Sequence, residues 1–235
     1  MAEDLRVVPA DRFAVIPLGL DLHPFADVDR AEARSRVRAE LGIDEDRMVV
    51  GIVGRLVPVK NHELVFDAMA LLRDRLDPAP HLIVVGSGER EPMLRSYASE
   101  KGLDGKVHWL GWRKDLPQVF SAFDATALTS FDEGTPVSLI ESLASGTPVV
   151  SVAVGGVPEI LEGGELGRLV ESASDHAVAD ALESVLTSPP SREDVERARR
   201  LVLERFSIRR LAQDVERLYV DALERAGVGE GGEGA

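Results

Sequence analysis

The fold is decided by the stretch from residue 48 to residue 72, which reads MVVGIVGRLVPVKNHELVFDAMALL. A short apolar run, Met48–Val53, is followed by a turn that contains a glycine and a proline. The next segment has apolar residues at helical spacing: Leu64, Val65, Ala68, Met69, Leu72 and, beyond the quoted stretch, Leu76. The pattern predicts a strand, a turn and a helix that packs one face on a sheet.

Four further apolar runs of similar length follow along the chain. Each ends at a turn with Gly, Ser or Pro, and most of these turns lead into another segment with helical spacing. The runs are His81–Val85, Val107–Leu110, Ala125–Leu128 and Pro148–Val154. The alternation of strand and helix predicts an α/β fold, in which a parallel sheet is covered by helices on both faces.

A single domain is expected over residues 1–226. Residues 1–45 are its least regular part, with a short strand predicted at Phe13–Pro17 and a helix at Arg30–Leu41. Residues 191–226 are predicted to form C-terminal helices. The last segment, residues 227–235, consists of Gly and Glu with almost nothing apolar, and we expect a disordered tail.

The composition excludes several classes of function. With 27 Lys+Arg against 41 Asp+Glu, the net charge of -14 opposes non-specific binding to nucleic acid or to an anionic membrane surface. The absence of cysteine excludes disulfides and thiol ligands. No apolar segment approaches the ~20 residues of a membrane span, and no secretory leader is visible. We therefore expect a soluble, cytoplasmic protein without membrane insertion.

The turn after the first apolar run is the first candidate site. It begins at Gly54 and places two cations, Arg55 and Lys60, at the carboxyl end of the strand and just before a helix. Ligands of open parallel sheets bind at this edge, and a helix N-terminus attracts anions. The pattern therefore indicates an anion site, and a solvated loop with two surface cations is the alternative.

The turn after the fourth run is the second candidate. Glu133 precedes a helix that is predicted to begin at Pro136, with Thr135 as its cap, and Glu141 lies inside that helix. Carboxylates suit the adjacent hydroxyls of a sugar or a ribose, while the first N–H groups of the helix suit a diphosphate. A hydrolase with paired carboxylates and a pair of surface glutamates are the alternatives.

Taken in order along the chain, these motifs resemble a known family. Gly54-Arg55 with Lys60, Glu133 and Glu141 with seven residues between them, and the stretches ASGTPVV at 144–150 and GGVPE at 155–159 carry the resemblance. They resemble the C-terminal, donor-binding domain of the retaining GT-B glycosyltransferases of family 4. The similarity runs from about residue 13 to residue 223, and the ordered set of motifs is more specific than any one of them.

The resemblance implies a Rossmann-like half of a GT-B fold that binds a nucleotide sugar. It gives catalytic roles to Arg55 and Lys60, which neutralise the donor diphosphate, and to Glu133, which contacts the donor sugar. It places Glu141 on the ribose hydroxyls. The remaining donor-binding positions that it implies are Gly54, Gly134, Thr135 and Val137 near the sugar and phosphates, and Gly111 and Arg113 near the nucleobase.

The resemblance also implies what the chain works with. The co-substrate would be a UDP-, GDP- or ADP-linked sugar, and neither a metal nor a bound cofactor is expected. The acceptor pocket of the family belongs to an N-terminal domain that is absent here, so the partner would be that domain, in cis or in trans. One position departs from the family: Thr135-Pro136 replaces an aromatic residue and a glycine, and proline donates no N–H.

Other readings of the chain stay open. A binding or interaction module without transferase activity and a fragment of a GT-B epimerase are the main alternatives. A receiver-type signalling domain would need acidic residues after the first strand, where this chain has Gly54-Arg55. NAD binding is disfavoured because Gly86-Ser87-Gly88 lacks the third spaced glycine, and the five histidines show no metal-ligand spacing.

Overall fold

The computed structural model describes residues 13–225, so the tail predicted at 227–235 lies outside the described residues. The chain divides into two compact units. One is Leu22–Val202, and the other is formed, within the described chain, by residues 13–21 together with 203–225.

The larger unit is built on a six-stranded, fully parallel sheet. Its strands are β1 (Val49–Val53), β2 (His81–Val85), β3 (Val107–Gly111), β4 (Ala125–Leu128), β5 (Val149–Val152) and β6 (Arg168–Val170). The order β3-β2-β1-β4-β5-β6 is that of a Rossmann-like sheet. The predicted α/β fold is therefore confirmed. The sixth strand was not predicted because three residues, the first of them an exposed arginine, give too short a pattern.

The described chain contains ten α-helices. They are α1 (His23–Ala26), α2 (Arg30–Glu40), α3 (His62–Arg75), α4 (Glu91–Glu100), α5 (Leu116–Ser121), α6 (Val137–Ala144), α7 (Val157–Ile160), α8 (Asp175–Thr187), α9 (Arg192–Phe206) and α10 (Ile208–Arg225). Short 3-10 helices lie at Pro58–Lys60 and Glu162–Gly164. Between residues 13 and 225, no helix is long and apolar enough to cross a membrane.

The core of the larger unit forms where helices cover the sheet. The apolar stripe predicted for α3 is buried, with Val65, Ala68, Met69 and Leu72 at most 1% exposed. It belongs to a cluster that includes residues of β1, β2, β4, β5 and α8. Burial of each valine, methionine or leucine side chain of this kind stabilises the fold by about 1.5–3 kcal/mol, so this layer holds the strand ends, and the turns that follow them, in place.

A buried arginine stabilises the edge of the sheet at which the strands β1 and β4 begin. Arg38 on α2 is 0% exposed and donates to the carbonyl oxygens of Ala122 and Arg47, at 2.9 and 2.7 Å. It also pairs with Asp124 at 2.9 Å, and the same carboxylate oxygen accepts the N–H of Val49 at 2.7 Å. The pair therefore links α2 to the first residue of β1 and to the residue before β4.

The smaller unit joins the two ends of the described chain. Leu20 forms a parallel bridge with Ser207, and Gly19 lies so close to Leu211 that an added Cβ would be 2.5 Å from the leucine Cβ. The strand predicted at Phe13–Pro17 is wrong: residues 13–19 are irregular, and Pro17 has no N–H to donate to a ladder. Between residues 208 and 225, α10 has no buried side chain, and its exposed apolar residues are Ile208, Leu218, Tyr219, Val220 and Leu223.

We expect Asp124→Ala to lower the free energy of unfolding by about 3 kcal/mol, because it leaves the buried charge of Arg38 without a counter-ion. Urea unfolding followed by circular dichroism measures the change. Asp74→Ala is the control, since Asp74 pairs with Arg73 on the open surface and should leave the unfolding midpoint in place. Equal midpoints for Asp124→Ala and the unmodified chain would contradict the structural role of this pair.

Candidate functional site

The strand order reverses between β1 and β4, which are hydrogen-bonded neighbours at the centre of the sheet. The chain passes from β1 towards β3 on one side, and from β4 towards β6 on the other. A crevice opens at such a switch point, at the carboxyl ends of the two strands, and it is where open α/β sheets bind ligands. The two turns that the sequence singled out, at residues 54–60 and 129–136, both lie here.

Two hydrogen bonds tie these turns together. The backbone N–H of Phe131 donates to the carbonyl of Val59 at 2.8 Å, and the hydroxyl of Thr129 donates to the carbonyl of Asn61 at 2.9 Å. Asn61 adopts the left-handed conformation with φ 47°, which turns the chain sharply into α3. The cationic turn after β1 is therefore held against the acidic turn after β4.

The side chains of the two turns meet in an ion pair. Lys60 Nζ donates to Glu133 Oε1 at 2.6 Å, and the hydroxyl of Ser130 donates to the same oxygen, also at 2.6 Å. Ser130 is 1% and Glu133 8% exposed. The structure thus brings two predicted site residues into direct contact. It adds Ser130, which the sequence did not reveal because its role depends on where the carboxylate points.

The glycine turn after β5 closes on the backbone that carries this carboxylate. Gly155 has φ 51°, and a Cβ on it would lie 1.8 Å from the carbonyl oxygen of Glu133. The next residue, Gly156, donates its N–H to that oxygen at 2.9 Å. Only glycine fits such an approach. The motif at 155–159 therefore acts on the site by fixing Glu133.

The turn after β2 supports the cationic turn in the same way. A Cβ on Gly86 would lie 1.9 Å from the carbonyl oxygen of Gly54, and the N–H of Gly54 donates to Val85 at 2.9 Å. Gly86 in turn donates to the carbonyl of Gly111, at 2.7 Å, where β3 ends. Gly54 and Gly111, both predicted site residues, therefore lie along one continuous row of turns.

The N-terminus of α6 presents free donors to the crevice. The prediction that this helix begins at Pro136 with Thr135 as its cap is wrong: α6 begins at Val137, Pro136 is the N-cap, and no side chain caps it. Thr135 stands one residue too far from the first turn. In the described chain the N–H groups of Val137 and Ser138 have no acceptor, so together with the helix dipole they are suited to bind an anion.

Glu141, one turn further along α6, is a partly buried carboxylate. It forms no side-chain hydrogen bond or ion pair with any residue between 13 and 225. Burial raises its pKa to about 7. A desolvated carboxylate without a partner is costly, and its oxygens are free to accept hydrogen bonds from the hydroxyl groups of a ligand.

The two predicted arginines differ in their surroundings. Arg55 is exposed, and its guanidinium has no partner within the described part of the chain. Arg113 instead binds Glu40 at 2.6 Å and Asp115 at 2.8 Å, and these carboxylates raise its pKa. Arg55 is therefore available to an anionic ligand, whereas Arg113 is already neutralised and stays a prediction as a contact of the nucleobase.

The sequence did not single out the buried histidine that follows Lys60 by two residues. His62 opens α3, is 1% exposed, and has no hydrogen-bond partner on either ring nitrogen in the described structure. Burial lowers its pKa to about 4, helped by the charges of Lys60 and Arg90. The imidazole is therefore neutral at pH 7 and adds no charge to the site. Among the described residues, no group of three or more potential ligands could hold a metal ion.

A separate cavity of the larger unit lies away from the crevice. It holds about 250 Å³ and opens near the amino ends of β5 and β6, on the opposite edge from the crevice. None of the predicted site residues lines it. The apolar residues of its walls include Leu143, Pro148, Val149, Leu166, Val185 and Ala198. The candidate site is therefore identified by its charged groups and unpaired hydrogen-bond donors, and it does not coincide with this cavity.

Fold and site together define a Rossmann-like α/β domain whose switch point carries cations, free backbone N–H groups and carboxylates. Residues 33–202 match the family described as "Glycosyl transferases group 1". The chain belongs to this family.

Known relatives agree with this assignment. The chain is 37% identical over 232 residues to the D-inositol 3-phosphate glycosyltransferase of Corynebacterium glutamicum, covering 93% of this chain and 54% of the relative. It therefore spans about half the length of the curated relatives that it matches. Anabaena Alr3699/HepE, solved in complex with UDP-glucose, superposes with a TM-score of 0.82 at 26% identity, over 94% of this chain and 60% of that one.

A third comparison concerns the fold alone. The C-terminal domain of a glycosyl transferase group 1 family protein (LpcC) from Francisella tularensis superposes with a TM-score of 0.67 at 22% identity. The match covers 81% of this chain and 100% of that domain. The described sheet and its helices are thus the Rossmann-like architecture of GT-B glycosyltransferases.

We expect Glu141→Gln to stabilise the chain. The pKa of Glu141 rises from 4.5 to about 7 on folding, so the free energy of unfolding falls as the pH rises through this range. At pH 8 the substitution should add about 3 kcal/mol, and at pH 4 nothing.

Urea unfolding at the two pH values tests this expectation. Glu216→Gln, at an exposed position of α10, is the matched control and should change neither value. A loss of stability in Glu141→Gln at pH 8 would contradict the unpartnered state of this carboxylate.

Proposed function

We propose that this chain is the donor-binding half of a retaining GT-B glycosyltransferase of family 4, and that it binds a nucleotide sugar in the crevice between β1 and β4. One observation carries the proposal. Unpaired donors and acceptors of matching chemistry converge at the switch point: the Arg55 guanidinium, two free N–H groups of α6, and the unpartnered carboxylate of Glu141.

Each part of the donor has a counterpart in this set. The diphosphate binds between Arg55, Lys60 and the N-terminus of α6, where guanidinium, ammonium and backbone N–H groups all donate to phosphate oxygens. The ribose hydroxyls donate to Glu141, whose carboxylate can accept from two adjacent hydroxyls. Glu133 accepts from a hydroxyl of the transferred sugar. UDP is the first nucleotide to test, because Anabaena Alr3699/HepE was solved with UDP-glucose.

The contribution of this half to catalysis is electrostatic. When the bond between the anomeric carbon and the diphosphate breaks, negative charge grows on the leaving phosphate. Arg55, Lys60 and the dipole of α6 stand ready to stabilise it, and such preorganised charges lower the barrier without proton transfer. In this proposal the described residues stabilise the leaving group by their charge, and none of them acts as a general base.

Pro136 reduces the number of backbone N–H groups that α6 can offer to the ligand. The residue has no N–H, so the helix offers the amides of Val137 and Ser138 as its first donors. Thr135 and Gly134 are exposed beside them, and their backbone can approach the sugar and the phosphates. The acceptor, a hydroxyl compound, binds to a second domain that faces the crevice, in cis or in trans.

We expect isothermal titration calorimetry to detect binding of UDP to the chain, and Arg55→Ala and Glu141→Ala each to weaken it at least about tenfold, since each removes a charged hydrogen-bonding partner. Arg192→Ala is the control for charge, because Arg192 is an exposed arginine at the start of α9, a helix that lines the cavity at the opposite, amino edge of the sheet. Equal affinities for all four proteins would refute the site.

The affinity for UDP-glucose should depend on pH through Glu141. Ribose hydroxyls donate to the ionised carboxylate, so binding favours that form and lowers its pKa below about 7. Affinity should therefore be constant above pH 8 and fall by up to about tenfold per unit as the pH drops below 7. The diphosphate diester of UDP-glucose does not titrate in this range.

Calorimetry between pH 5.5 and pH 8.5 checks this dependence. Glu141→Gln should bind more weakly, with an affinity that no longer changes across the range. A pH dependence that persists unchanged in Glu141→Gln would assign the titration to another group.

A further inference from the structure

Ser130 has a buried hydroxyl that donates a hydrogen bond to Glu133, the carboxylate proposed to bind the transferred sugar. It lies two residues after the end of β4 and is 1% exposed. Its Oγ donates to Glu133 Oε1 at 2.6 Å, the short distance of a hydrogen bond to an ionised acceptor. Its neighbour Thr129 has a different task, since the Thr129 hydroxyl donates to the carbonyl of Asn61.

Glu133 uses its two carboxylate oxygens differently. Oε1 receives both the Ser130 hydroxyl and the Lys60 ammonium, each at 2.6 Å. Oε2 has no partner among the residues from 13 to 225. The arrangement leaves one oxygen free to accept a hydroxyl, and two bonds on the other oxygen set its direction.

The two partners of Oε1 are not equally permanent. Lys60 is a long side chain, 22% exposed, and an ammonium has three protons with which to reach other anions. A diphosphate in the crevice carries more negative charge than one carboxylate and competes for Lys60. Ser130 is a short, buried side chain three residues before Glu133, whose backbone carbonyl accepts the N–H of Gly156, so the Ser130 hydroxyl stays within reach of the carboxylate.

We propose that Ser130 is a positioning residue for sugar recognition: it holds Oε1 of Glu133 when Lys60 turns to the diphosphate, so that Oε2 stays directed at the sugar. This inference rests on the proposed function, and it assigns to Ser130 a role that concerns the sugar and not the nucleotide. Removing the hydroxyl frees the carboxylate to rotate after Lys60 has moved.

The test compares UDP with a UDP-sugar by calorimetry. UDP-glucose, UDP-galactose and UDP-N-acetylglucosamine are titrated into the unmodified chain, and the tightest-binding of the three is used throughout. Ser130→Ala should leave the affinity for UDP within about twofold and raise the ratio of the UDP-sugar Kd to the UDP Kd by about tenfold, the effect of losing one charge-assisted hydrogen bond. Unchanged UDP binding also shows that the variant is folded.

Two further variants separate positioning from a structural effect. Ser151→Ala removes an equally buried hydroxyl on β5, which donates to the carbonyl of Val152, and it should leave the ratio unchanged. Glu133→Ala should raise the ratio by itself, and adding Ser130→Ala to it should then have no further effect, because Ser130 acts through Glu133.

The outcomes are distinct. An unchanged ratio in Ser130→Ala or in Glu133→Ala, an equal loss for UDP and the UDP-sugar in Ser130→Ala, or additive effects in the double variant would each overturn the inference while UDP binding still supports the proposed function. If the unmodified chain binds none of UDP, GDP and ADP, the proposed function itself is overturned, and the inference with it. If GDP or ADP binds in place of UDP, the same comparison uses that nucleotide and its sugar.

Discussion

The crevice depends on two places where backbone packs directly on backbone. Gly155 lies against the carbonyl of Glu133, and Gly86 lies against the carbonyl of Gly54, in both cases with no room for a Cβ. These contacts lock the turns after β5 and β2 onto the turns after β4 and β1. The sheet fixes where the strands end, and the glycine contacts fix how the turns leave them. The positions of Lys60 and Ser130 around one carboxylate oxygen follow from that frame.

We propose that an acidic chain with a net charge of -14 nevertheless binds an anion in this crevice. It does so with few groups: one unpaired arginine, one lysine whose carboxylate partner can be exchanged for a phosphate, and the uncapped first turn of α6. The same region holds a desolvated glutamate with a pKa of about 7. Pairing or capping these groups within the chain would stabilise the fold. Leaving them unpaired is common at sites where a ligand supplies the missing contacts.

Much of this could be predicted from the sequence, because the decisive patterns are local. Five of the six strands follow from apolar runs, and the two site turns follow from glycine, cations and carboxylates at fixed spacing. What could not be predicted depends on contacts between distant segments. The pairing of Lys60 with Glu133, the role of Ser130 and the capture of Arg113 by carboxylates require the folded geometry. The helix start at Val137 could not be predicted because proline favours the first helical position and threonine favours the cap before it, whereas this chain places Pro136 itself at the N-cap.

The central claim is that a nucleotide diphosphate occupies the crevice between β1 and β4, and a crystal structure of this chain with UDP tests it most directly. We expect phosphate oxygens within hydrogen-bond distance of Arg55, Lys60 and the N–H groups of Val137 and Ser138, with the ribose hydroxyls on Glu141. UDP bound at any other place, such as the apolar cavity at the amino ends of β5 and β6, with the crevice empty, would contradict it.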